Sequence, residues 1–271
     1  MINFKLRYID ECEPAGVDGD LKMSWFWLTD GDLWMELSDS TLYEYTPKAR
    51  EYFGDKKSPY NDYPIVRFIE DFTELFGQIN ESIPDDIYFL TEDLSSFLND
   101  AKKWLELNDD DDEDEQKDFY FDEYDQLISW TYKRTFDSGH LIGGPHFSFF
   151  RNEDKIRVVW ETEFKLENGI DLWTAKNGSI EINYKDFISM IENFGLSFFD
   201  EMKNQVQLAV KKDWKDIQID KKRLVEEHNE RESDFWRQLA LLEARDSQSQ
   251  ENWAHLRELK SRMIKEIKTK A

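Results

Sequence analysis

The fold is decided first by residues 24–37, which read SWFWLTDGDLWMEL. Runs rich in aromatic and aliphatic side chains lie on either side of Asp30-Gly31, and both residues of this pair tolerate the positive φ angles of a tight turn. The sequence therefore predicts a β-hairpin centred on this pair. Residues 2–8 and 41–45 alternate apolar and polar side chains, as half-buried strands do, and extend the hairpin into a meander.

A second strand block follows in the middle of the chain. Runs of β-favouring residues at 147–150 and 155–160 predict one hairpin, and runs at 172–175 and 179–182 predict another around Asn177-Gly178. Both blocks are rich in aromatic residues. We interpret them as parts of one mixed or antiparallel sheet.

Helices are predicted from apolar residues spaced three and four apart. This spacing covers 65–79, 94–105, roughly 117–136 and 187–209. Together with the strand blocks, these amphipathic helices predict an α+β fold with helices packed on one face of the sheet.

The distribution of charge predicts where the chain divides. Residues 1–210 hold 20 basic and 46 acidic side chains, whereas residues 211–271 hold 15 basic and 13 acidic. We therefore predict an acidic α+β body over 1–210 and a C-terminal helical hairpin over 211–271. The apolar stripes of this hairpin must be buried on each other, on the body or on another chain.

Composition also limits the class of protein. The 271 residues carry a formal net charge of −24, which argues against direct binding to nucleic acid or anionic membranes, since both recognise cationic patches. The single cysteine, Cys12, permits no intrachain disulfide and is typical of a reducing compartment. The N-terminal residues lack the apolar segment of a signal peptide, and no apolar run is long enough to cross a membrane. We therefore expect a cytoplasmic protein.

Few residues suggest catalysis or metal binding. His140 and His146 bracket a glycine-bearing loop, and with Asp137 they could ligate a metal, but a structural loop is the simpler interpretation. His228 and His255 lie on helical stripes and are interpreted as packed side chains.

The nucleophile motifs are missing as well. Cys12 lies between two glutamates, which disfavour the reactive thiolate. The sequence contains no nucleophile elbow, phosphate-binding loop or zinc helix. We predict no catalytic residue, metal or cofactor, while an active site assembled from distant residues remains an alternative.

The most acidic segment is the candidate partner-binding site. It lacks the glycine and glutamate that a calcium loop of the EF-hand type needs at its sixth and twelfth positions. A solvated loop is the simple interpretation, and contact with a basic protein is the functional one. The predicted contact residues are the acidic run and one aromatic residue beyond it: Asp109, Asp110, Asp111, Asp112, Glu113, Asp114, Glu115 and Tyr120.

Several segments resemble a known family. Residues 24–34 with 42–45 form its N-terminal pattern, 144–151 and 172–175 its second block, and Trp253 lies in its last charged helix. On these segments the chain resembles an uncharacterised bacterial family, domain of unknown function 5984. The resemblance implies a bacterial origin and brings no established activity.

Three functional hypotheses follow. The leading one is a non-enzymatic bacterial binding protein that neutralises a basic protein partner, of the toxin-immunity or inhibitor type, since complementary charge speeds association and selects partners. The second is a scaffold or regulatory module that forms homo-oligomers through 211–271. The third is an acidic mimic of nucleic acid.

Overall fold

A computed structural model describes residues 1–17, 19–54, 58–108, 118–244 and 251–270. Within them the chain is an α+β protein with antiparallel sheets, which confirms the predicted class. Its strands are β1 (Ile2–Leu6), β2 (Lys22–Met23), β3 (Asp30–Leu37), β4 (Ser40–Leu42), β5 (Asn61–Pro64), β6 (Thr135–Asp137), β7 (His146–Asn152), β8 (Lys155–Glu161), β9 (Gly178–Asn183) and β10 (Gln218–Ile219). Its α-helices are α1 (Pro47–Tyr52), α2 (Ile65–Thr73), α3 (Phe76–Ile79), α4 (Asp85–Tyr88), α5 (Leu94–Asn108), α6 (Asp125–Tyr132), α7 (Tyr184–Lys211), α8 (Lys221–Glu243) and α9 (Trp253–Lys270).

The two strand blocks form one sheet each, and not the single sheet expected from the sequence. In the first sheet β3 is central, with β1 on one side and β4 and β5 on the other. The second sheet runs in the order β6-β7-β8-β9, with every neighbouring pair antiparallel. A short parallel pair, β2 with β10, lies apart from both.

The second sheet carries helices on both faces, where the sequence predicted helices on one face. Strand β7 shows the reason, because its successive side chains are buried on opposite sides. Phe149 belongs to the larger apolar cluster, which includes α7 and α8, while Phe150 belongs to a smaller cluster with α5, α6 and α9. The apolar run in the sequence of β7 is therefore continuous because this strand is buried on both faces.

Two buried arginines link the second sheet to the residues that follow α3. Arg134 and Glu81 form an ion pair of 2.5 Å with both side chains buried. Arg151 donates to the side chain of Asn80 and lies 4.4 Å from the ring centre of Tyr184. Arg134 is thus paired with a carboxylate and Arg151 is hydrogen-bonded, as buried charged groups require.

The predicted hairpin at Asp30-Gly31 is wrong. Both residues lie inside β3, and the preceding aromatic run turns through a 3-10 helix at Trp27–Thr29. A Cβ on Gly31 would approach the Lys5 carbonyl oxygen to 2.4 Å, so the glycine permits close contact with β1 and makes no turn. The chain reverses instead at Ser38-Asp39, where Ser38 has a φ of 52°.

The predicted hairpin at Asn177-Gly178 is also wrong. Strand β9 pairs with β8, whereas Trp173 forms a bridge with Tyr45 and stacks on it at 4.6 Å. The segment 172–175 therefore connects to the first strand block. The Asn177 side-chain oxygen accepts hydrogen bonds from the backbone N–H groups of Thr162 and Glu163, which fixes it at the end of β8.

The predicted helices are mostly present, with altered boundaries. The helix expected over 65–79 is divided into α2 and α3, and the one expected over 117–136 becomes a π-helical turn at Tyr120–Tyr124 followed by α6. The long helix expected over 187–209 is α7.

The two C-terminal helices pack on the body. Helix α8 packs on α7 and also contacts α2 and α3, and α9 packs on α5 and α6. Their apolar stripes complete the two clusters, with Leu224 and Phe235 in the larger and Leu256 and Met263 in the smaller. The predicted division between 1–210 and 211–271 stays a prediction, because packing alone does not decide whether two segments fold separately.

Candidate binding surface

The predicted contact residues fall into two groups in the structure. The acidic run Asp109 to Glu115 lies outside the described residues. Tyr120 lies on the π-helical turn and is 43% exposed. It is therefore the predicted contact whose surroundings can be described.

Tyr120 belongs to a patch of aromatic residues, which we call the tyrosine surface and which comprises Tyr120, Phe121, Tyr124 and Tyr132. The Tyr120 ring centre lies 5.0 Å from that of Phe121 and 5.4 Å from that of Tyr124. Phe121 is 65% exposed and Tyr132, at the end of α6, is 57% exposed. Exposed aromatic groups in one patch are typical of a protein-binding surface.

Side chains of α5 and α9 support the turn that carries Tyr120 and Phe121. Phe119 packs edge-to-face on Trp104 of α5 at 4.8 Å, and Arg262 of α9 lies 5.1 Å from the Trp104 ring centre. Arg262 also donates through both terminal nitrogens to the carboxylate of Glu123. Such a two-point pair between an arginine and a carboxylate fixes geometry, so the tyrosine surface is supported by two helices.

The negative charges of Asp125 and Glu161 act on the phenols of this surface. Burial raises the pKa of Tyr132, and nearby Tyr120, Glu161 and Asp125 raise it further. Burial likewise raises the pKa of Tyr124, followed by Tyr132, Tyr120 and Asp125. Both phenols therefore stay neutral at physiological pH and keep their O–H donors beside an anionic field.

A groove of ≈ 450 Å³ adjoins Tyr132. It lies between the second sheet and helices α5 and α6. Its lining residues are Leu94, Leu98, Thr131, Tyr132, Thr135, Asp137, His146, Ser148, Val159 and Glu161. We call it the sheet groove.

One row of charged and titratable side chains crosses the sheet groove. Asp137 of β6 pairs in register with His146 of β7, which pairs with Glu161 of β8. The Nδ1 atom of His146 lies 3.5 Å from the Asp137 carboxylate. Tertiary structure thus joins two residues singled out in the sequence with Glu161, which was not.

The two histidines considered as metal ligands have different surroundings. His140 packs on Tyr63, with ring centres 4.9 Å apart, and its Nδ1 lies 3.5 Å from Asp71. Burial lowers the pKa of His140, so the imidazole is neutral at physiological pH. Throughout the described parts of the chain, no group of three His, Cys, Asp or Glu side chains could hold a metal ion.

The remaining candidates have structural surroundings. Cys12 is buried, and burial followed by the charge of Asp30 raises the pKa of its thiol to about 11. His228 is buried on α8 against Trp25 and Phe199, as its place on an apolar stripe predicted. His255 lies on α9 with Nε2 at 3.0 Å from the Gln126 side-chain oxygen, and it is partly exposed.

No local pattern in the sequence identified Tyr132 or Glu161 as site residues. They are 29 positions apart and belong to different elements, so no local spacing connects them. A signal existed for Tyr124, which shares a helical face with Tyr120. The rest of the surface depends on how α6 packs against β8.

The helices were also compared with the requirements of a membrane span. Among those in the described ranges, none is both long and apolar enough to cross a bilayer.

No curated protein and no solved structure matches the chain, whereas a family model does. A family model covers residues 1–259, which include the aromatic run at 24–37, the second strand block and the beginning of α9. The resemblance seen in those segments is confirmed, and the chain belongs to the family of unknown function DUF5984.

Proposed function

We propose that this protein binds and neutralises a basic protein partner through its tyrosine surface. The observation that carries the proposal is the continuity of exposed aromatic rings with carboxylates, from Tyr120 and Phe121 across Asp125 to Tyr132 and Glu161. Tyrosines are enriched among the residues that dominate binding energy at protein interfaces. Acidic neighbours select a basic partner and speed its approach.

The charge of the whole chain supports the same proposal. Residues 1–210, which contain the tyrosine surface, hold 46 acidic against 20 basic side chains. A field of this sign attracts cations over distances longer than any single contact and raises association rates at low salt. The acidic run 109–115 precedes the surface in the chain and would add to that field. We further propose that the protein works in the bacterial cytoplasm, which the single cysteine supports.

The oligomerising scaffold is less well supported. Most of the stripe residues of α8 and α9, such as Leu224, Phe235, Leu256 and Met263, are buried within the same chain, although Val225, Leu241 and Ile264 are exposed. The scaffold and the nucleic-acid mimic stay as alternative hypotheses, without an observation that favours either.

The first test compares two pairs of aromatic residues. Tyr120-Phe121 and Tyr52-Phe53 have the same side chains, and their ring centres are 5.0 and 5.4 Å apart. Both pairs are partly exposed, but only the first lies on the tyrosine surface. The variant Tyr120→Ala/Phe121→Ala is therefore the test, and Tyr52→Ala/Phe53→Ala is its matched control.

Wild-type protein and both variants are immobilised and exposed to extract of the source organism, and bound proteins are released by increasing salt. The captured protein is then purified and titrated against each variant by calorimetry. We expect a basic protein whose affinity falls with salt, and an affinity loss of about tenfold or more in Tyr120→Ala/Phe121→Ala only. Equal affinities for the two variants, or a captured protein that is not basic, would overturn the proposal.

A further inference from the structure

The sheet groove has an apolar interior and an anionic rim. Leu94, Leu98 and Val159 contribute its aliphatic wall, and they belong to or pack against the smaller apolar cluster. Asp137 is largely exposed and Glu161 is exposed, so these two carboxylates face solvent at the edge. The wall of the groove is therefore apolar, and its rim is negatively charged.

The threonine and serine hydroxyl groups in the groove are already hydrogen-bonded within the chain. Thr131 donates to the Ile128 carbonyl at 2.7 Å, and Thr135 donates to the Thr131 carbonyl at 2.9 Å. The hydroxyls of Thr135 and Ser148 are also 2.8 Å apart. A ligand whose inner part is aliphatic can thus enter without leaving these polar groups unsatisfied.

These properties select one kind of ligand. An anion would be repelled by Asp137 and Glu161 at the rim. A long side chain with an aliphatic stem and a cationic end matches the groove, because its stem can pack on the aliphatic wall while its positive charge lies beside the carboxylates of the rim. Arginine suits it better than lysine for two reasons. Its planar guanidinium can stack on an aromatic ring such as that of Tyr132. Its five N–H donors can also form hydrogen bonds with carboxylates on two different strands.

We propose that the sheet groove binds an arginine side chain of the basic partner. This inference rests on the proposed function for the identity of the partner, and it names the group that the partner inserts. The guanidinium lies at the rim with Asp137 and Glu161, and the methylene groups lie against Leu94, Leu98 and Val159. Arginine is one of the residue types enriched among the centres of binding energy in protein interfaces.

The test uses the full-length chain and small probes, so it does not need the partner. N-acetyl-arginine amide is titrated into protein with labelled methyl groups, and NMR follows the methyl signals of Leu94, Leu98 and Val159. The matched probe is N-acetyl-citrulline amide, which keeps the shape and lacks the charge. N-acetyl-lysine amide keeps the charge and lacks the planar fork.

We expect arginine amide to shift these signals saturably, with a dissociation constant on the order of 1 mM. We expect citrulline amide to give no saturable shift and lysine amide to bind several-fold more weakly. The variant Asp137→Asn/Glu161→Gln should weaken arginine binding about tenfold. The charge-matched control Asp39→Asn/Asp216→Asn, at exposed positions on other elements, should leave it unchanged.

Each contrary result overturns the inference. Equal binding of arginine and citrulline amides would show a groove that does not recognise charge, and equal binding of lysine amide would refute the choice of arginine. Absence of shifts, or full binding by Asp137→Asn/Glu161→Gln, would refute the groove as the site. The proposed function is tested separately by Tyr120 and Phe121, which do not line the groove, so a failure of the groove and a failure of the proposed function give different results.

Discussion

At the scale of single residues, His228 shows the cost of burying a polar side chain among aromatic rings. Its ring is buried between Trp25 and Phe199, and within the described ranges of the chain neither ring nitrogen has a hydrogen-bond partner. The Glu232 carboxylate is 3.8 Å from Nε2, which is beyond hydrogen-bonding distance. The ring therefore contributes to packing, while its nitrogens lose their bonds to water.

This environment predicts how stability depends on pH. Burial lowers the pKa of His228, and the opposing charges of Glu232 and Lys203 have smaller effects. The unfolded chain then binds the proton more readily than the folded chain. The free energy of unfolding should consequently fall as pH drops below about 6.5, the ordinary value for histidine, and continue to fall until the folded imidazole is protonated.

Denaturant unfolding at pH 7.5 and pH 5.0 checks this expectation. His228→Leu should unfold with a free energy about 1 kcal/mol higher at pH 7.5, because a buried polar group without a partner is removed. Its advantage over wild type should be larger at pH 5.0. The control His255→Leu, at the partly exposed histidine, should keep the wild-type pH dependence. A His228→Leu variant with the wild-type pH dependence would contradict the assignment.

At the scale of elements, the contact between α7 and α8 depends on one glycine. A Cβ built on Gly195 would lie 2.1 Å from the Phe235 ring, so the two helices approach more closely than a side chain at this position allows. Phe235 is buried there against Phe199. The close contact between α7 and α8, which forms the seam between the body and the C-terminal segment, is thus possible because residue 195 has no side chain.

Gly195→Ala should destabilise the protein by about 1–3 kcal/mol, because the added methyl group overpacks this seam. Gly77 of α3 is the matched control, since a Cβ there meets no atom of the described residues within 4 Å. Gly77→Ala should be neutral or slightly stabilising, as alanine favours a helix over glycine. The midpoint of thermal or denaturant unfolding measures both variants. Equal stability of the two would mean that α8 shifts to accept the methyl group.

At the scale of the whole molecule, helix α9 completes the smaller apolar cluster. Its buried residues Leu256, Leu259 and Met263 pack in the cluster that also holds Trp104 and Trp130. Burying three such side chains contributes about 5–9 kcal/mol, which is comparable to the net stability of an ordinary domain. The tyrosine surface depends on the same helix through Arg262.

A chain ended at Ala244 should therefore lose most of its stability and expose its tryptophans. We expect a lower unfolding midpoint, red-shifted tryptophan emission and binding of an apolar dye. A chain ended at Lys268, which keeps the buried residues of α9, is the control and should behave like the full chain. A cooperative transition of unchanged midpoint in the shorter chain would instead support a separately folded body.

Local patterns in the sequence were sufficient for the fold class. Alternating side chains predicted β1, and the β-favouring runs at 147–150 and 155–160 predicted the β7–β8 hairpin, because both signals act between near neighbours. Periodicity likewise predicted α7. The same local reading failed at Asp30-Gly31 and Asn177-Gly178, where glycine and asparagine serve contacts with distant strands.

The sequence by itself determined an acidic α+β chain with two aromatic strand blocks, and it pointed to Tyr120 as a contact residue. Only the tertiary structure decided that the blocks form two sheets, that α8 and α9 complete their cores, and that Tyr132 and Glu161 share a surface with Tyr120. The physical reason is distance along the chain. Periodicity and turn chemistry act over a few residues, whereas pairing and burial join residues far apart in sequence, and those choices depend on the packing of the whole chain.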